Sequence, residues 1–221
     1  MPIRHFEELE KRGQVETYEE GERLALERHL RELDRATLDD IERKFGQYVP
    51  RGRMERLRQE PARFLGHEDY ERHLRERGIE PSENGRVLGD ANGRVYVDRE
   101  HILVPRTLVH ERLHQVSDKL YRGMLGREID EGTTEYFASK LRGDLHLVDM
   151  GRSYPDQKRL VEMLSARVDD DTIARAYFQG DWIGLQREID GQLGSGALAE
   201  ISALAKQGKV REAEEIIKKG L

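Results

Sequence analysis

The sequence predicts a mostly helical α+β protein with one small antiparallel sheet. Three observations indicate this fold class. Apolar residues recur at helical spacing in the first third of the chain, a turn-rich segment near residue 90 separates two valine-containing runs, and helical patterns resume after Pro105. The length of 221 residues suits one domain, or one domain with a sizeable attachment.

Residues 1–80 are the most charged part of the chain, and we expect short helices there. An apolar stripe at helical spacing ends at Phe45, with Thr37 as a candidate N-cap. A further amphipathic stretch from residue 54 to 65 is interrupted at Pro61. Such helices usually present a solvated face over a small core. This region is therefore part of the fold or, alternatively, a regulatory or partner-binding region.

From Pro81 the pattern changes to that of a sheet. Residues 86–88 and 94–97 flank the sequence Gly-Asp-Ala-Asn-Gly at 89–93, which has strong turn chemistry. We therefore predict a β-hairpin. Residues 102–104 either extend this hairpin or form a short third strand.

Pro105 suits the first turn of a helix, where its missing N–H costs nothing, and we expect this helix to continue to Tyr121. A second helix is predicted from Asp130 to Leu141. Beyond Tyr154, glycines separate four or five further helices. The predicted organisation is a charged helical region, a central region and a C-terminal helical region, at residues 1–80, 81–150 and 151–221.

The composition excludes several classes of protein. Charged residues make up 37% of the chain and the formal net charge is −6, which argues against a nucleic-acid partner because phosphate binding favours excess Lys and Arg. No apolar window is long enough for a membrane span, and the first twenty residues lack the core of a signal peptide, so we expect a cytoplasmic protein. Since the chain has no cysteine, any metal would be held by histidine and carboxylate side chains.

The most informative motif is His110-Glu-Arg-Leu-His114, in the helix that follows Pro105. Two histidines at i and i+4 project from one side of a helix, which allows both to bind one Zn²⁺ at ~2.0–2.1 Å. Glu111 lies beside His110, where its carboxylate could take a proton from a metal-bound water. The other side of the helix carries an apolar stripe of Val109, Leu113, Val116 and Leu120. The alternative is a surface helix with incidental histidines.

A third zinc ligand is expected, with one position left open for water. Glu131 and Glu135 lie one turn apart in the second predicted helix. If that helix crosses the first, Glu131 could bind the metal and Glu135 could accept a hydrogen bond from a ligating histidine. Gly132 would permit close helix approach. His101 and His146 are alternative ligands, although neither lies in a predicted helix, and solvated glutamates on an amphipathic helix are the alternative to a site.

The segments at 110–114 and 130–137 resemble the gluzincin metallopeptidases, which include thermolysin, the zinc aminopeptidases and the minigluzincins. In that family the third ligand is a glutamate on a downstream helix, and the resemblance assigns this role to Glu131. The acid four residues further on supports a zinc-bound histidine in the family, and it matches Glu135.

The resemblance covers roughly residues 86–142 and implies a zincin-like catalytic core within residues 81–150. It also implies that residues 94–98 form an edge strand that pairs with the substrate backbone. The Gly-rich exopeptidase motif of the aminopeptidases has no match on this strand, which favours an endopeptidase. The family uses a Tyr or His to stabilise the oxyanion. Tyr154 is the first candidate for that role here and Tyr177 the second.

These expectations together describe a zinc metallopeptidase that acts on a protein or peptide substrate. His110, His114 and Glu131 would hold one Zn²⁺ per chain. Glu111 would accept a proton from the zinc-bound water and pass it to the leaving amine. Two alternatives stay open: a catalytically inactive zincin-like binding protein, and a charged helical adaptor in which these residues are coincidental. The sequence makes no prediction of the oligomeric state.

Overall fold

The computed structural model describes residues 15–80, 87–89, 94–98, 104–144 and 154–219, which form eleven helices and three strands. The first part contributes α1 (Val15–Phe45), α2 (Arg51–Gln59), β1 (Arg63–Leu65), α3 (His67–Glu76), β2 (Val87–Gly89) and β3 (Val95–Asp98). The second contributes α4 (Val104–Val116), α5 (Lys119–Leu125), α6 (Arg127–Asp144), α7 (Pro155–Ser165), α8 (Asp170–Gln179), α9 (Trp182–Leu193), α10 (Ala197–Lys206) and α11 (Val210–Lys219). The prediction of a mostly helical protein is confirmed.

Helix α1 is one continuous helix where the sequence analysis predicts several short ones. No proline interrupts it, and Thr37, the candidate N-cap, is fully buried inside the helix. Leu38, Ile41 and Phe45 all join the main hydrophobic core. Because tertiary packing contributes most of the stability of such a helix, burial rather than local capping determines how far α1 extends.

The three strands form one mixed sheet in the order β1-β3-β2. Strand β2 pairs with β3 in the antiparallel direction, with Leu88 opposite Tyr96. Strand β1 pairs with β3 in the parallel direction, with Phe64 opposite Val97. The sheet is therefore mixed rather than antiparallel throughout. The implied edge position of residues 94–98 is wrong, because β3 is the central strand.

Strand β1 comes from a stretch where the sequence analysis predicts an amphipathic helix. Pro61 has no N–H and disfavours helical geometry in the residue before it, so α2 ends ahead of it. Phe64 is then buried against Val95 and Val97 of β3. Residues 102–104 were predicted to extend the hairpin or form a third strand, but Val104 is the first residue of α4. Residues 102 and 103 and the hairpin turn at 90–93 lie outside the described residues.

The predicted helix from Pro105 to Tyr121 is divided into α4 and α5. Helix α4 ends at Val116, and the Asp118 carboxylate accepts a hydrogen bond from the N–H of Leu120 at 2.9 Å, which caps the start of α5. Arg53 of α2 donates to the carbonyl oxygens of Val116 and Ser117 at 2.7 and 2.8 Å. These contacts satisfy the backbone groups that the helix end leaves unpaired.

A buried ion pair attaches α1 to α4. Arg112 has 0% of its surface exposed, and it donates to both carboxylate oxygens of Asp34 at 2.7 Å. The same guanidinium donates to Gln115 Oε1, also at 2.7 Å. The orientation of α4 is thus held from the N-terminal third of the chain.

No helix among the described residues has the length and apolarity that crossing a membrane requires.

Candidate metal centre

Helix α4 carries both histidines of the candidate site on one side. His110 is buried and His114 partly buried, and their ring centroids lie 4.7 Å apart. The opposite side packs into the core through Val109, Leu113 and Val116. Leu120, the fourth member of the predicted stripe, is 61% exposed because α4 ends before it.

Three donor atoms from α4 and α6 converge on one point. His110 Nε2 lies 3.1 Å from Glu131 Oε2, and His114 Nε2 lies 3.2 Å from the same oxygen. The two Nε2 atoms are 3.1 Å apart. When an ion is coordinated tetrahedrally with ligands at ~2.1 Å, its donor atoms lie roughly 3.4 Å from one another. The distances between the three donor atoms here are close to that value, and all three side chains are of types that bind zinc. These residues fit a metal ion.

Each histidine directs its other ring nitrogen to an acceptor on α6. His110 Nδ1 lies 3.3 Å from Glu135 Oε2. His114 Nδ1 lies 3.2 Å from Thr134 Oγ1 and 3.4 Å from Asp130 Oδ2. Acceptors at Nδ1 hold the proton there and leave Nε2 free to bind a cation.

Asp130 and Thr134 are two further residues of the site that were not predicted from the sequence. Both lie on α6 at i and i+4, one position before Glu131 and Glu135, so the same helical spacing could have indicated them. The Thr134 hydroxyl also donates to the Asp130 carbonyl at 2.8 Å and lies 2.6 Å from the Tyr177 hydroxyl. Tyr177, the second candidate for oxyanion stabilisation, is thus fully buried and bonded to Thr134.

Tyr154 stacks on the first histidine. Its ring centroid lies 5.7 Å from that of His110, with an angle of 16° between the ring planes. It immediately precedes α7 in left-handed backbone geometry, with φ 51° and ψ 49°, which a non-glycine residue rarely adopts. Burial and the charge of Glu131 raise the pKa of the Tyr154 phenol, while a hydrogen bond with Arg127 opposes this shift.

The charges around the donors favour a cation at the centre. Burial alone would lower the pKa of His110, but hydrogen bonds with Glu131 and Glu135 raise it to about 9. Burial alone would raise the pKa of Glu131, yet hydrogen bonds with His110 and His114 hold it well below its usual range. The carboxylates therefore stabilise positive charge between them, as a bound metal ion would provide.

Glu111 lies within electrostatic range of all three donor residues. Burial and the charge of Glu131 raise the pKa of the Glu111 carboxyl, and the charges of His110 and His114 oppose that shift. The second oxygen of Glu131 faces two arginines, with Oε1 3.6 Å from Arg127 Nε and 4.0 Å from an Arg122 guanidinium nitrogen. Oε1 thus faces the arginines, while Oε2 faces the histidines.

Gly132 allows α6 to approach α7. A Cβ atom at this position would overlap the backbone carbonyl of Gln157. The close approach predicted for Gly132 is therefore made to α7 rather than to the histidine helix. His101 and His146, the alternative ligands, lie outside the described residues.

No protein-family model matches this chain, and no curated protein or solved structure does either. The resemblance to gluzincins consequently rests on the motif residues of α4 and α6 alone.

Proposed function

We propose that this chain is a zinc-dependent metallopeptidase that cleaves within peptide chains. The observation that carries the proposal is the triangle formed by His110 Nε2, His114 Nε2 and Glu131 Oε2, with sides of 3.1, 3.2 and 3.1 Å. Two imidazole nitrogens and one carboxylate oxygen form one of the donor sets of catalytic zinc sites, whereas Mg²⁺ and Ca²⁺ favour sites made of oxygen alone.

The residues around the triangle have the chemistry that peptide hydrolysis needs. When bound, Zn²⁺ supplies a Lewis acid that lowers the pKa of water and polarises a carbonyl group. Glu111 would accept the proton of the attacking water and deliver it to the leaving nitrogen, and burial raises the pKa of its carboxyl above the ordinary value. A general base beside the donors also distinguishes this site from a purely structural metal site.

Tyr154 would stabilise the charge that develops on the substrate carbonyl oxygen. Its ring lies against His110, and its hydroxyl oxygen accepts a hydrogen bond from Arg127, which leaves the hydroxyl proton to be donated to a substrate. The substrate backbone would pair with β2 (Val87–Gly89), since this strand lies at one edge of the sheet.

The test compares wild-type protein with Glu111→Gln after reconstitution with zinc. Peptides blocked at both ends serve as substrates, because only an endopeptidase cleaves them. We expect both proteins to hold zinc, and the variant to hydrolyse at least ~10²-fold more slowly because an amide cannot accept the proton. Glu188→Gln is the matched control, since Glu188 is exposed on α9.

Two outcomes would overturn the proposal. Cleavage by Glu111→Gln at the wild-type rate would remove Glu111 from the base role. The wild-type protein could also hold stoichiometric zinc and yet cleave neither blocked nor unblocked peptides. That result would favour the alternative of a metal-binding protein without catalysis.

A further inference from the structure

Strand β1 forms the edge of the sheet opposite β2. Strand β1 pairs with β3 on one side, and no strand among the described residues pairs with its other side. A groove of about 510 Å³ runs beside β1 and is lined by all three of its residues. This volume lies within the ~300–1,000 Å³ that is usual for ligand sites.

Three arginines line this groove, although the chain as a whole is acidic. Arg31 comes from α1, Arg63 from β1, and Arg94 immediately precedes β3. All three are exposed. Arginines from three separate parts of the chain thus line one groove in a protein of formal net charge −6. Such a local basic surface attracts acidic partners.

The groove also contains a polar atom without a partner. Glu60 lines the groove, and its buried Oε2 has no hydrogen-bond partner among the described residues. Because this oxygen is buried, a ligand in the groove cannot reach it. Phe64 and Leu65 add apolar surface to the same groove.

We propose that β1 binds an extended acidic segment of a partner protein, which adds a strand to the sheet. Backbone hydrogen bonds along β1 would provide the pairing, as in other complexes formed by strand addition. Acidic side chains of the segment would contact Arg31 and Arg63. This site is independent of the metal centre, which lies on α4 and α6.

The test measures binding of a fluorescein-labelled Glu-Val-Glu-Val-Glu-Val peptide by anisotropy. Zinc-loaded Glu111→Gln protein is used so that hydrolysis cannot remove the probe. We expect the double variant Arg31→Glu/Arg63→Glu to bind about tenfold more weakly, because two attractive charges become repulsive. The control is Arg211→Glu, which changes an exposed arginine on α11. A Lys-Val-Lys-Val-Lys-Val peptide should bind more weakly than the acidic probe.

A second measurement tests strand addition itself without altering the protein. Methylating the backbone nitrogens of alternate peptide residues removes the N–H donors while keeping the charges. We expect this change to abolish binding, and we expect the unmodified peptide to slow amide exchange at Phe64 and Leu65.

Equal binding of the methylated and unmodified peptides would overturn the proposal, as would equal binding of acidic and basic peptides. Loss of binding on zinc chelation would place the peptide at the metal centre instead. A dimer that the peptide dissociates would assign β1 to a second copy of this chain. None of these results bears on whether the metal centre hydrolyses peptides.

Discussion

Glu135 Oε2 lies 3.3 Å from His110 Nδ1, while Glu131, one turn earlier on the same helix, directs its Oε2 at His110 Nε2. A single helix thus contacts both nitrogens of one imidazole. In the proposed site the two roles differ, because Glu131 would bind the metal and Glu135 would orient the ring. The consequences of removing each carboxylate should therefore differ.

Replacing Glu135 by alanine should weaken zinc binding by ~10–100-fold, because the His110 ring loses the acceptor that orients it and increases its basicity. Competitive chelator titration measures the affinity. Glu188→Ala is the matched control. Glu128 lies nearer to the site, but it accepts a hydrogen bond from Gln157 at 2.6 Å and is therefore unsuitable as a control. Equal affinities in the two variants would show that Glu135 is only a buried partner of the histidine.

Replacing His114 by alanine should remove stoichiometric zinc, because two ligands remain where three are required. We expect about one zinc per chain in the reconstituted wild-type protein and a small fraction of that in the variant. Metal analysis after dialysis measures both. His29→Ala is the control, because His29 is exposed on α1. Failure of the wild-type protein to retain zinc after reconstitution would contradict the entire metal assignment.

Replacing Tyr154 by phenylalanine should lower kcat by ~10²-fold and leave zinc content and KM near their wild-type values, because only the hydroxyl that stabilises the developing oxyanion is lost. Steady-state kinetics on a blocked peptide separates kcat from KM. Tyr48→Phe is the control, since the Tyr48 hydroxyl is bonded to Asp171 outside the site. An unchanged kcat would restrict Tyr154 to packing against His110.

Replacing Gly132 by alanine should lower the free energy of unfolding by ~1–3 kcal/mol, because the added methyl group forces α6 away from the α7 backbone. Gly191→Ala provides the opposite case. Gly191 lies in α9, where an added Cβ would meet open space, and alanine there should stabilise the protein by ~0.4–1 kcal/mol. Urea unfolding of both variants measures the difference. A shift in the same direction for both would disprove the close approach at Gly132.

The sequence alone determined the pairs of chemically matched residues that share one helix turn. His110 with His114, and Glu131 with Glu135, follow from the helical repeat, which places residues i and i+4 on one side wherever a helix forms. The mostly helical composition of the protein was predictable for the same reason, since the apolar spacing is a local property.

Only the tertiary structure decided which residues these pairs contact. The approach of Glu131 to both histidines, the stacking of Tyr154 on His110 and the contact of Thr134 with His114 each join elements that are distant in the chain. The parallel pairing of β1 with β3 likewise joins segments about thirty residues apart, and no local pattern indicates it. Such contacts depend on how helix and sheet faces pack together, and that packing is determined by the summed burial of the whole core rather than by any single segment.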